Sequence, residues 1–216
     1  MDYAAARRNM VESQLRPNKV TNPALIEALA SVPRELFVPE PLRGVAYVDE
    51  DVPLGRGRFL MEPMILGRLL ELAAVRPSDA ALVVGAAVGY SAAVLAAIVS
   101  SVVALESDHE LAQRAAQTLR ALGLSKVAVV EGHLAEGAPR QAPFDVILFD
   151  GTVDRVPSAI LDQLAEGGRL VAVVKTPGIG RATLMTRQGG IVASRVAFDA
   201  AVPGLPGFEP APAFVF

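Results

Sequence analysis

Apolar residues fall in short blocks, and the blocks alternate between two kinds of pattern. "AALVV" (80–84), "VVAL" (102–105), "KVAVV" (126–130), "DVILFD" (145–150) and "RLVAVV" (169–174) are near-continuous apolar runs of strand length. Such runs read as strands buried on both faces. Between them lie segments with apolar residues at helical spacing: 89–99, "HELAQRAAQTLRALG" (109–123) and "VPSAILDQLAEGG" (156–168). Strands alternating with helices predict a parallel, doubly wound sheet with helices on both faces. The chain then changes character. "RATLMTRQGGIVASRVAFD" (181–199) reads as two strands joined at Gln188-Gly189-Gly190, an antiparallel hairpin closing one sheet edge.

Ahead of this core the pattern is helical and then irregular. Residues 1–16 predict one helix. A second opens at Pro23, capped by Thr21 or Asn22, and stops near Val32-Pro33. Residues 34–59 are rich in Pro, Gly and charge and read as an extended arm with short turns. A third helix follows Pro63, with Ile65, Leu66, Leu69, Leu70 and Leu72 apolar. The expected division is a helical extension and arm over 1–60, packed on an α/β unit over 61–216.

Composition narrows the function classes. The 216 residues carry a net charge of −3, so no strong field draws nucleic acid or an anionic membrane. Ala80 to Leu105 is free of charge and long enough to span a bilayer, but Gly85, Gly89 and Ser100-Ser101 break it into strand, turn, helix and strand. There is no cysteine, and His109 and His133 are the two histidines, so neither thiolate chemistry nor a dedicated metal site is expected. The first residues lack a secretory pattern, and a cytoplasmic protein is expected.

Ligands of open parallel sheets bind beyond the carboxyl ends of the strands. That rule selects Gly85 to Tyr90, Glu106, Gly132-His133, Asp150-Gly151 and Lys175. Glu106 is placed to accept hydrogen bonds from both hydroxyls of a ribose, or else to be a solvated carboxylate at a strand end. Gly85, Ala87 and Gly89 form either a nucleoside-binding turn or merely a tight strand-to-helix bend. Ala87 puts a methyl where a middle glycine would let backbone approach a ligand. Asp150 is either a pocket acid or base or a cap on the Gly151 turn.

"EALASVPRELFVPE" (27–40) resembles the "VPRE-FV" element of the protein-L-isoaspartate O-methyltransferases. "VPLGRGRFLMEPMILGRLLELA" (52–73), "VVGAAVGYSAAVLA" (83–96) and the block 142–174 are similar to further segments of that family, in register. The resemblance runs over roughly residues 10 to 200. It implies a class I methyltransferase fold (Rossmann-like), S-adenosylmethionine as cofactor, and esterification of the free α-carboxylate of isoaspartyl residues in proteins or peptides, the first step of protein repair. It implies cofactor contacts at Gly85, Ala87, Gly89, Tyr90, Glu106 and His133. Met61 and Glu62 stand where the family has Ser-Gln, and with Asp150 they are the candidate catalytic positions. Val83 replaces an acid, His133 an aspartate, and Ala200 an arginine of the family's substrate-binding segment. Three readings follow: an isoaspartyl methyltransferase, a methyltransferase with another acceptor, and a non-catalytic descendant that keeps the fold for binding.

Overall fold

The structure, a computed structural model, describes residues 1–209. The apolar tail "AFVF" lies outside the described residues.

The chain opens with α1 (Tyr3–Met10), started by Asp2, whose side chain accepts from the Ala5 amide at 2.9 Å. A π turn over Val11–Leu15 and a 3₁₀ turn over Arg16–Asn18 continue it, so the single helix expected over 1–16 loses α geometry after Met10. α2 (Pro23–Ser31) is capped by Asn22, which accepts from Ala24 and Leu25. Thr21 instead bonds Glu71 on the next helix. The arm contains two 3₁₀ turns, Arg34–Phe37 and Glu40–Val45, and a hairpin the sequence pattern did not announce, β1 (Val52–Gly55) with β2 (Arg58–Leu60). α3 (Pro63–Ala73) follows. At its Gly67 an added Cβ would stand 3.0 Å from Leu15 and 3.1 Å from Val20, which marks the close approach of the N-terminal elements to this helix.

Then come β3 (Ala80–Val84), α4 (Tyr90–Ala96), β4 (Ser101–Glu106), α5 (His109–Ala121), β5 (Val127–Glu131), β6 (Phe144–Val153), α6 (Ser158–Leu161), β7 (Leu164–Val174), β8 (Arg181–Gln188) and β9 (Ile191–Asp199). The sheet order is β5-β4-β3-β6-β7-β8-β9. The first five are parallel, and β8 and β9 add antiparallel at one edge. The order reverses between β3 and β6, the switch point at which a ligand crevice is expected.

Alternation along β3 divides the core. Ala81 and Val83 face α1 to α5, whereas Leu82 and Val84 face the opposite side. That side is covered by little helix: Ile160 of α6, Leu134 of a 3₁₀ turn, and Leu205 and Phe208. The helix expected over 156–168 is therefore only four residues long. Leu164 already pairs with Phe144 as strand, and a shift in register carries the pairing on to Val146 and Arg169. The helical spacing of Ile160, Leu161 and Leu164 loses to these sheet hydrogen bonds. At the far edge the Gly189-Gly190 turn has φ +60 and +74, the left-handed pair that a two-residue hairpin requires. Among the described residues no helix is long and apolar enough to cross a membrane.

Candidate active site

The site is built where β3 and β4 end. After Val84 the chain turns through Gly85, Ala87 and Gly89, all left-handed at φ +78, +47 and +92. Ala87, the residue that breaks the glycine pattern, thus adopts a glycine-like conformation in spite of its Cβ, a strained choice for an L-residue. The turn folds over the end of β4. The Gly85 and Ala86 amides both donate to the Leu105 carbonyl at 2.9 Å, and the Ala87 amide donates to Glu106 Oε2 at 2.7 Å.

Glu106 is fully buried and fully occupied. Its Oε1 accepts from the Ser107 amide at 2.8 Å and the Asp108 amide at 3.0 Å. Nη1 of Arg58 lies 2.8 Å from both carboxylate oxygens. Nη2 of the same guanidinium donates to the Gly85 carbonyl at 2.6 Å. Arg58 comes from the β1–β2 hairpin and is 4% exposed, so the pair is an ion pair removed from water.

A second residue closes the same place. Leu205 is held against β6 by its amide, which donates to the Thr152 carbonyl at 2.8 Å, while the Thr152 amide donates to the Pro203 carbonyl at 2.9 Å. A Cβ on Gly85 would stand 2.6 Å from Leu205 and 2.9 Å from Arg58; one on Gly151 would stand 2.8 Å from Leu205. What remains open beside them is a small hollow of about 10 Å³, lined by Asp51, Arg58, Met61, Asp150, Gly151 and Pro203.

Asp150 lies on β6 and accepts a hydrogen bond from the Ser91 hydroxyl. Burial pushes its carboxyl up to about 6, and the Ser91 bond and the charges of Arg58 and Arg34 only partly offset that. Met61 lines the hollow. Its carbonyl is held by Arg34, the arginine of "VPRE", whose Nη2 donates to it at 2.7 Å and whose Nε donates to the Ala46 carbonyl. Glu35 of the same motif is bound by Tyr47 and Arg7, tying the arm to α1.

The other candidates are dispersed. Glu62 does not cap α3 with its side chain; Asp51 takes the Glu62 amide at 2.9 Å and Asp49 the Met64 amide at 3.1 Å. Partial burial and the charges of Asp51, Asp49 and Glu50 push the Glu62 carboxyl up to about 7. Tyr90 points into the core, edge-on to Phe37 at 5.4 Å and under the Arg34 guanidinium at 4.8 Å. His133 is exposed after β5, and Lys175 is exposed beside Asp154 at 3.6 Å. Among the described residues no cluster of His, Cys, Asp or Glu could hold a metal ion. Arg58, Leu205, Asp51 and Ser91 were not singled out from the sequence. The spacing "GRGRFL" shows an arginine on a short hairpin, but nothing local to it points 48 residues ahead to Glu106.

The donor set has the chemistry for a nucleoside: a carboxylate ending β4 and a backbone turn at the switch point. Two side chains, Arg58 and Leu205, occupy the place it would take and have to move for it to enter. Both stand on the turn, and the hollow, about 10 Å³, is far below the roughly 300–1,000 Å³ usual for ligands of that size.

Residues 6–200 match the family model for protein-L-isoaspartate(D-aspartate) O-methyltransferase. A protein-L-isoaspartate O-methyltransferase of Methylorubrum populi is 41% identical over 186 residues, covering 86% of this chain and 87% of its own. One from Gloeobacter violaceus is 41% identical over 185 residues, covering 85% and 90%. In fold, the chain is similar to a putative Plasmodium falciparum protein-L-isoaspartate O-methyltransferase solved in complex with S-adenosyl-L-homocysteine. The TM-score is 0.80 at 17% identity, covering 92% of this chain and 97% of that one.

Proposed function

The chain belongs to the protein-L-isoaspartate O-methyltransferase family, and from that premise we infer that it is an S-adenosylmethionine-dependent enzyme that methylates the free α-carboxylate of isoaspartyl residues in proteins. The observation that carries the reading is Glu106, a buried carboxylate ending β4 directly over the left-handed turn 85–89.

S-adenosylmethionine, when bound, supplies a methyl group on a good leaving group, and an ionised acceptor carboxylate is already a nucleophile. The protein therefore has to position and desolvate rather than abstract a proton. Glu106 and the turn would hold the ribose. Met61, fixed through its carbonyl by Arg34, and Gly151 would shape an apolar wall beside the acceptor. Asp150, close to half-protonated at about pH 6, would be largely ionised at neutral pH, held by Ser91.

The test has two stages. Calorimetric titration with S-adenosylhomocysteine should give saturable binding. Labelled methyl transfer should then occur to a synthetic isoaspartyl peptide and not to its normal aspartyl counterpart. Binding without transfer to the isoaspartyl peptide would reject the acceptor; no binding at millimolar ligand would reject the enzyme reading as a whole.

A further inference from the structure

We propose that Arg58 is the acceptor-carboxylate anchor of this enzyme, parked on Glu106 until the cofactor's ribose takes Glu106 and releases it. The inference rests on the methyltransferase reading above.

Three observations lead to it. First, Glu106 keeps three backbone N–H bonds, from Ala87, Ser107 and Asp108, that do not depend on Arg58. Hydroxyl groups can replace the guanidinium there without stripping the carboxylate of partners. Second, a guanidinium displaced from Glu106 gives up a buried ion pair, and another anion in the hollow beside it would restore that pairing. A planar fork of N–H donors is suited to a carboxylate. Third, among the described residues Arg58 is the one cation lining that hollow, which Asp51 and Asp150 also line. An anionic acceptor entering beside two aspartates requires a positive partner. Nearby cations are committed elsewhere: Arg34 to the Ala46 and Met61 carbonyls, Arg56 to Asp108 and Glu110, Lys175 to Asp154. Position 200, where the family's segment carries an arginine, is a buried alanine.

The exchange makes binding ordered. The acceptor finds its cation only after the cofactor has freed it, so the two ligands are positively coupled. Leu205 adds to the closure, because its side chain must also leave Gly85.

Titration of the wild-type protein with a synthetic isoaspartyl peptide, by calorimetry, should show binding at least about tenfold tighter with saturating S-adenosylhomocysteine than without it. Equal peptide affinity in both conditions overturns the inference and leaves the methyltransferase reading standing. Arg58→Gln should bind S-adenosylhomocysteine at least about fivefold tighter, because the ligand no longer displaces a buried ion pair. It should raise KM for the peptide about tenfold or more with kcat little changed. An unchanged KM, or weaker nucleoside binding, overturns the inference. If S-adenosylhomocysteine binds neither protein, the methyltransferase reading falls and the inference with it. Should Arg58→Gln fail to fold, the wild-type coupling experiment decides alone.

Discussion

Nη2 of Arg34 donates to the carbonyl oxygen of Met61 at 2.7 Å. A fully buried arginine in the N-terminal arm thereby fixes the loop that carries one wall of the site. Its other bond, to the Ala46 carbonyl, secures the arm itself, and its face lies on the Tyr90 ring. Arg34→Met should leave both carbonyls buried and unpaired and cost about 3 kcal/mol of stability. Urea denaturation checks this; a loss below about 1 kcal/mol would mean that the loop is held by other contacts.

Glu62 gives the protein a pH dependence of stability. Its folded carboxyl titrates near 7 rather than the ordinary 4.5. Protonation is thus easier in the folded than in the unfolded chain. The group imposes no penalty below about pH 4.5, and the penalty grows until pH passes 7. Glu62→Gln should be more stable than wild type at pH 8 by about 1–2 kcal/mol, with the difference vanishing near pH 4. Parallel stability–pH curves for the two proteins would contradict this origin.

Gly85 and Gly123 separate backbone strain from steric closure. Both have positive φ, +78 and +69. A Cβ at Gly123 meets open space, whereas one at Gly85 meets Leu205 and Arg58. Gly123→Ala should cost about 1 kcal/mol, from strain alone. Gly85→Ala should cost about 2–4 kcal/mol, since packed neighbours must also move. Similar losses in chemical denaturation would show that the closure over Gly85 yields easily.

Ser91 holds Asp150 toward its ionised form through its hydroxyl. Ser91→Ala removes that donor and should raise the Asp150 carboxyl further above its value of about 6. A carboxyl-carbon NMR titration reads it directly. A fall on substitution would mean that the Ser91 hydroxyl does not favour the ionised form.

Much of the strand plan was legible because buried parallel strands are written as unbroken apolar runs. Four of the five runs from Ala80 to Val174 fall within sheet strands, the fifth (126–130) starts one residue ahead of β5, and the Gly189-Gly190 turn sits where the pattern put it. The failures share one cause. Ile160 to Leu164 has helical spacing but Leu164 pairs with Phe144 on β6, and Val52 to Leu60 is a hairpin in a stretch with no clear alternation. In both, partners distant in sequence decided the backbone.

The site divides in the same way. Gly85, Glu106 and Asp150 follow apolar runs, and in a parallel sheet strand ends share one crevice, so sequence alone determined that they would gather. Only the tertiary structure decided what occupies Glu106. Arg58 reaches it from a separate hairpin and Leu205 from beyond the last strand, and neither carries a local pattern pointing to the turn at Gly85. Periodicity records how a segment meets the core. It does not record which distant side chain, released from water, will settle on a buried charge, because that is set by the packing of elements against one another.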